Sequence, residues 1–330
     1  MGTMDSVRWG MIGTGDVTEV KSGPALYHAE HSSLVGVTNR TLAKAESWVA
    51  RHGVGRVFPD VASLLADPAI DIVYIATPPG EHLALTAQVA AAGKHVYVEK
   101  PMALAGTECE AMIEACERAG VRLFVAYYRR ALPRFAQVAH WLAEGAIGRP
   151  CSVSIVQRMR PADAERSPET LPWRLRAEQS GGGKFLDVAV HALDIVDHWL
   201  GPLLDVRGEA ANRGGLYEVE DTVVASWRHP SGVLGTGSWC FVADDEADRI
   251  EIVGTEGRIE LACFGTDAVR LVTAARVDAR EFTNPAHIQQ PFIQTIIDEL
   301  RGTAVCPGTA LSAARTSRVA DTVLQTYRAR

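Results

Sequence analysis

The sequence predicts an α/β chain in two parts. A doubly wound parallel sheet occupies residues 1–125, and an α+β part with closing C-terminal helices follows over 126–330. Three observations predict this. The chain of 330 residues is longer than one ordinary core accommodates. Its first part alternates short β-branched runs with helical stretches of about ten to fifteen residues, as a parallel sheet covered on both faces requires. Its second part changes to successive strands joined by tight-turn signals.

In order, "VRWGMIGTG" is an apolar run ending in glycines, followed by the polar "DVTEVKSGPAL". "SLVGVTNR" is the next strand, and "TLAKAESWVARHG" has helical spacing and a terminal glycine. "DIVYIATPP", "GEHLALTAQVAAAGK", "HVYVEKP", "LAGTECEAMIEACERAG" and "RLFVAYYRR" continue the alternation. From about Ala126 the pattern shifts: "RRALPRFAQVAHWLAEGAIG" reads as one helix. "PCSVSIVQRMRP", "LLDVRGEAANR", "DTVVASWRHPSGVLGTGSWCFV", "DRIEIVGTEGRIELACF" and "AVRLVTAA" read as strands, with "HPSG" and "GTEG" as hairpin turns. "HIQQPFIQTIIDELRG" and "ALSAARTSRVADTVLQTYRAR" close the chain as helices.

Composition narrows the class. Apolar residues make up 47%, charged residues 22%, and the formal charge is -7 with both signs interspersed, so no nucleic-acid footprint exists. No run approaches the ~18 apolar residues of a membrane span. "MGTMDSVRWG" lacks the apolar core of a secretory signal, and the six cysteines form no Cys-x-x-Cys pair, which fits a cytoplasmic protein. Gly2 with Ser6 matches a loose N-acylation pattern; the plainer reading is that it carries no modification.

The turn after the first strand holds Gly13-Thr14-Gly15, continuing into Asp16 and Val17. Glycines there let the backbone turn sharply and approach a pyrophosphate, so these five residues are candidate dinucleotide contacts. Thr18 stands where a third small residue is expected. The second strand ends in Thr38-Asn39-Arg40 with no carboxylate to accept from a ribose 2′-hydroxyl. Asn39 and Arg40 therefore point to NADP, the guanidinium matching a 2′-phosphate, with NAD as the other option. Lys100, after the strand "HVYVEK", lies where ligands sit in an open parallel sheet, and can polarise a substrate oxygen.

"GGGKFLDVAVHALD", residues 181–194, places Asp187, His191 and Asp194 on a mostly apolar helix. At 3.6 residues per turn these fall within about 60° of one another, and Asp187 and His191 are direct neighbours. His191 is suited to proton exchange near neutrality. The glycines would let the backbone pass close to nicotinamide or substrate. Taken singly, each residue has a plainer reading: a lysine before a turn proline, or a buried His–Asp pair. A metal is not expected, since no Cys or Glu cluster supplements Asp187, His191 and His198.

The Gly13-x-Gly15 turn, "ATPPGEH" at 76–82, "EKP" at 99–101 and "GGGKFLDVAVHALD" together resemble the Gfo/Idh/MocA family of oxidoreductases over nearly the whole chain. The resemblance implies an N-terminal Rossmann domain followed by a domain with a large open, mostly antiparallel sheet. It implies hydride transfer between nicotinamide and a carbon of a sugar, cyclitol or related small molecule. Lys100, Asp187 and His191 match the family's catalytic positions, and the bond to Pro101 is expected to be cis. Thr77, Pro78, His82, Glu99 and Lys100 would border the cofactor, as would the pair Trp173-Arg174. Ala189 departs from the family pattern, a methyl replacing glycine and narrowing the floor of the site.

The reading is an NADP-dependent oxidoreductase, with Lys100 and His191 handling the proton and Asp187 orienting. Tyr127, Arg129, Arg158, Arg160, Trp173 and Trp239 are further candidates for the substrate pocket. Its partners would be a small sugar-like substrate and further copies of itself, a dimer or tetramer formed through the C-terminal sheet. The alternatives are a non-catalytic NAD(P)-binding sensor, which predicts degraded catalytic positions, and a polyol enzyme with a retained cofactor.

Overall fold

The computed structural model describes residues 4–329; Gly2 of the acylation pattern lies outside them. The chain forms two compact units. The first holds residues up to Ala103, Thr107–Leu132 and Asn284–Ala314; the second holds Leu104–Gly106, Pro133–Thr283 and residues from Arg315 onward.

The first unit is built on strands β1 (Val7–Ile12), β2 (Ser32–Thr38), β3 (Arg56–Val57), β4 (Ile72–Ile75), β5 (His95–Val98) and β6 (Leu123–Val125). They form one parallel sheet in the order β3-β2-β1-β4-β5-β6. This is the doubly wound arrangement expected of an α/β dinucleotide fold. Every residue of β4 and β5 is buried, as strands covered on both faces must be. The backbone ladder runs past the strand ends: Gly13 N–H donates to Thr38 C=O (2.9 Å), Ala76 N–H to Ile12 C=O (2.8 Å) and Glu99 N–H to Ile75 C=O (3.0 Å). The loops after β1, β4 and β5 thus leave the sheet side by side.

The two units do not divide at a single cut between residues 125 and 126. Helix Gln290–Leu300 belongs to the first unit. Its Phe292, Ile293, Ile296 and Ile297 are buried in one core with Trp9, Tyr74 and Tyr97. The apolar stripe at positions i, i+1, i+4 and i+5 states that the helix is buried, and leaves open which sheet it covers.

The second unit carries β7 (Pro150–Arg158), β8 (Leu204–Ala211), β9 (Thr222–Arg228), β10 (Leu234–Cys240), β11 (Ala247–Gly254), β12 (Gly257–Leu261), β13 (Val269–Thr273) and β14 (Val277–Arg280). Their order is β14-β13-β12-β11-β7-β10-β9-β8, with only β7 and β10 parallel. Residues of β9 and β10 alternate between buried and exposed, the signature of a sheet with one face in the core. The stretch expected to be one helix from Arg129 is divided. A 3₁₀ turn covers Tyr128–Ala131, and the helix Pro133–Ala143 starts at its proline, whose missing N–H costs nothing at a first helical position.

No helix among the described residues is long and apolar enough to cross a membrane. The cysteines form no disulfide; burial pushes the Cys116 and Cys306 thiols up to about 11, and Cys151 is exposed.

Candidate functional site

In the first unit, three neighbouring strands end in the residues singled out by sequence. After β1, Gly13 has φ +96°, and a Cβ there would lie 2.7 Å from the Ala76 carbonyl oxygen. The backbone therefore demands glycine at this turn. Gly15 is different: its φ is -85°, and a Cβ would meet no protein atom within 4 Å. The lacking side chain leaves open space above the turn, which a pyrophosphate needs. Thr18, the departure from the glycine pattern, is fully buried, and its hydroxyl donates to the Gly15 carbonyl at 2.7 Å. Asn39 ties the end of β2 to the turn, its Nδ2 donating to Thr14 Oγ1 at 2.8 Å, while Arg40 beside it is exposed.

After β4, Thr77 keeps its buried Oγ1 without a hydrogen-bond partner among the described residues. A buried polar atom of this kind calls for a ligand or ordered water. Together with the empty space over Gly15, it fits a nicotinamide dinucleotide lying across these loops. His82, expected at the cofactor, is instead fully buried. Its Nε2 lies 2.9 Å from the Thr77 carbonyl, and its Nδ1 lies 3.2 and 3.1 Å from those of Pro101 and Met102. Burial holds its pKa below the usual histidine value. Both ring nitrogens face main-chain oxygens, and the single N–H of the neutral imidazole donates either to the loop after β4 or to the loop after β5.

After β5, the Lys100–Pro101 peptide is cis. The preceding Glu99 points inward. Tyr74 Oη and Gln289 Nε2 each donate to its Oε1 at 2.7 Å, and the Lys100 amide donates to Oε2 at 3.2 Å. Tyr97 Oη in turn donates to Gln289 Oε1 at 2.6 Å. Burial, and then the Glu99 carboxylate, push both tyrosines well above their ordinary pKa. Glu99 is thus a buried anchor beneath the lysine, its carboxylate taken by protein donors, where the resemblance implies a side chain bordering the cofactor. Tyr74, Tyr97 and Gln289 were not found from sequence.

In the second unit, the helix bearing Asp187 and His191 is not α-helical throughout. Phe185–Ala189 forms a π-helical turn, and the α-helix runs from Val190 to Leu200. The even 3.6-residue spacing expected from 187 to 194 is therefore interrupted between the carboxylate and the imidazole. Asp187 remains partly open, with Arg174 Nε 3.4 Å from its Oδ2, whereas His191 and Asp194 are buried. Ala189 is fully buried in this turn, so its methyl contributes to packing and does not form a floor.

The last of the glycines before this turn, Gly183, packs against Glu220. A Cβ on Gly183 would lie 2.4 Å from the Glu220 carbonyl oxygen, and Gly183 N–H donates to Glu220 Oε1 at 2.7 Å. Gly182 and Gly183 lie against Glu220, whereas Gly181, at φ +78°, lies against Leu104. Burial pushes the Glu220 carboxyl up to about 7. Next to it, Lys184 Nζ and Glu165 Oε2 form a buried pair at 2.7 Å.

Beside His191 stands Phe264, edge to face with ring centroids 5.6 Å apart. Its loop is held from below by Asp248, which accepts from the amides of Cys263 (3.1 Å), Phe264 (2.6 Å) and Gly265 (3.1 Å). Arg134 donates to the carbonyls of Gly265 and Asp267. Neither Phe264 nor Asp248 carries a sequence signal, since both depend on a loop returning to a distant helix.

The remaining candidates divide. The Arg174 guanidinium lies 4.6 Å from the Trp173 ring centroid, close to Asp187. Tyr127 and Arg129 are buried. Arg158 pairs with exposed Asp245, and Arg160 donates to the Asp244 carbonyl. Trp239 is excluded as a substrate contact: it is fully buried, packs edge-on against Phe185 at 5.0 Å and donates to Gln157 Oε1. It lies on the inward face of β10, where alternation places every second residue.

Comparison with known proteins identifies the family and the fold. Residues 7–127 match the family model of an oxidoreductase family with an NAD-binding Rossmann fold, and residues 135–260 match the GFO/IDH/MocA C-terminal domain. Oxidoreductase P35 of Formosa agariphila is 34% identical over 294 residues, 88% of this chain and 90% of its own. A 1,5-anhydro-D-fructose reductase of Ensifer adhaerens is 29% identical over 76% of this chain and 74% of its own. A solved levoglucosan dehydrogenase, in complex with NADH and levoglucosan, shares the fold with a TM-score of 0.86 over 98% of both chains at 23% identity.

Proposed function

The chain belongs to the GFO/IDH/MocA family of NAD-binding oxidoreductases, and on that premise we propose that it reduces or oxidises a sugar, cyclitol or related small molecule with NADP. The observation that carries this reading is the shared edge of β1, β4 and β5, where the glycine turn, Thr77 and Lys100 emerge from adjacent strands. Such an edge is where open α/β sheets bind dinucleotides.

Nicotinamide, when bound, supplies or accepts the hydride. The protein must then manage the oxygen. In the reducing direction the Lys100 ammonium polarises the carbonyl, and either Lys100 or His191 delivers the proton that turns the new alkoxide into an alcohol. In the oxidising direction the same groups take the hydroxyl proton. Asp187 orients the imidazole or a neighbouring substrate hydroxyl. Gly13, Thr14, Gly15, Asp16 and Val17 receive the pyrophosphate, with Thr77, Pro78 and Trp173-Arg174 along the rest of the cofactor. NADP is favoured because Asn39 and Arg40 end β2 without a carboxylate, and Arg40 is exposed.

The 29% identity to a 1,5-anhydro-D-fructose reductase supports a ring-shaped carbonyl substrate. Exposed Val224 and Leu234 on the open face of the second sheet support self-association there, and cysteines without disulfides support a cytoplasmic setting.

The test is a panel of sugars, inositols and simple carbonyls followed at the nicotinamide absorbance with both cofactors. Lys100→Ala and His191→Ala should each lower turnover by about 10²–10⁴-fold with dinucleotide affinity largely kept. Undiminished turnover in both variants refutes the catalytic assignment.

A further inference from the structure

We infer that Phe264 is the wall that selects ring-shaped over open-chain substrates, by stacking against the apolar C–H face of the ring. The inference rests on the proposed reaction and adds to it a specificity-determining residue. The ring is 44% exposed, yet it sits edge-on to buried His191 at 5.6 Å between centroids. An aromatic kept open to solvent forgoes the gain of burial. A mobile loop tip would explain that exposure trivially, but this loop is fixed. Asp248 accepts from three consecutive amides, residues 263 to 265. Gln157 Nε2 lies 3.2 Å from the same carboxylate, and Trp239 Nε1 holds Gln157 by its oxygen at 2.9 Å. Arg134, itself buried, grips the next two turns of backbone through the carbonyls of Gly265 and Asp267. Partly buried Asp248, backed by buried Gln157 and joined by buried Arg134, therefore holds one half-exposed aromatic ring beside an imidazole.

That combination is what a binding wall for a saturated ring needs. A pyranose or cyclohexane polyol has a face of C–H groups that can lie on an aromatic ring, while its hydroxyl edge remains for polar partners. A two- or three-carbon carbonyl has no such face and gains little from the contact. Specificity here is a ratio of kcat/KM values, so the ring contributes only to the extent that one substrate touches it and the other does not.

The experiment compares 1,5-anhydro-D-fructose with glyceraldehyde, measuring kcat/KM for the parent protein, Phe264→Ala, Phe264→Tyr and His191→Ala. The expected result is that the ring-to-open-chain ratio falls about tenfold in Phe264→Ala, the scale of one lost aromatic contact, and that Phe264→Tyr restores it. An unchanged ratio in Phe264→Ala, with the parent active and His191→Ala inactive on both substrates, overturns this inference alone. If the parent turns over neither compound, or His191→Ala keeps its activity, the reaction assignment fails first and this inference with it.

Discussion

Replacing Glu220 by Gln should change how the protein's stability depends on pH. Burial pushes this carboxyl from an ordinary 4.5 up to about 7, against the opposing hydrogen bond from Gly183 N–H. The folded protein therefore holds the proton more tightly than the unfolded chain. That contribution to stability is complete below about pH 4.5 and is lost as pH rises through about 7. At 1.36 kcal/mol per pKa unit, the parent loses about 2–3 kcal/mol from this group between pH 5 and pH 8. Glutamine keeps an acceptor oxygen for Gly183 and cannot ionise, so Glu220→Gln omits the loss. Thermal melts at pH 5, 6, 7 and 8 give the measurement, each other titrating group cancelling in the difference between variant and parent. The variant should gain on the parent steadily across the series, by roughly 5–10 °C at the alkaline end for a unit of this size. A difference in midpoint that stays constant from pH 5 to 8 would show that Glu220 ionises normally and that the reasoning from its burial is wrong.

Three further outcomes are expected. Arg40→Asp should weaken NADP binding about tenfold or more, through loss of a charge-assisted contact, and move preference towards NAD; titration with both dinucleotides reads this, and no shift means the 2′-phosphate is held elsewhere. Gly13→Ala must place a Cβ 2.7 Å from the Ala76 carbonyl oxygen at φ +96°; it should cost at least ~1–2 kcal/mol and depress dinucleotide affinity, and normal affinity would remove the turn from the cofactor site. Asp248→Ala strips the acceptor from the amides of residues 263 to 265, for a loss of about 2–3 kcal/mol. Hydrogen exchange at those amides should accelerate, and unchanged protection would deny Asp248 its hold on the Phe264 loop.

What the sequence conveys well is whatever repeats or punctuates locally. Apolar runs give β1, β4 and β5, and glycines give the turn after β1, because a short window contains the whole cause. Lys100 and His191 stand out as candidates for a similar reason, since they are reactive side chains on apolar elements. One source of failure is contact between residues far apart in the chain. Gln289 lies 190 residues from the Glu99 carboxylate it supports, and no pattern near either residue announces the other. His82 is expected at the cofactor from the motif "ATPPGEH", yet its ring is buried facing the carbonyls of Thr77, Pro101 and Met102. Apolar periodicity also cannot distinguish a π-helical turn from an α-helical one, because the two differ in hydrogen-bond register and not in composition. Trp239 shows the opposite error: a strand alternation visible in sequence was sufficient to place it inward, and its aromatic character suggested a pocket.

The Glu99–Gln289 hydrogen bond also bears on the order in which the protein is made. The last strand of the first sheet ends at Val125, but Gln289 and the Phe292–Ile297 stripe emerge from the ribosome only after some 160 further residues. At about 5–20 residues per second, that is roughly 10–30 s of synthesis. Through that interval a nascent nucleotide lobe has a Glu99 carboxylate without its Gln289 donor and an uncovered apolar flank. The first lobe thus completes its core only late in translation, and a fragment stopped near residue 132 is a poor stand-in for the intact lobe.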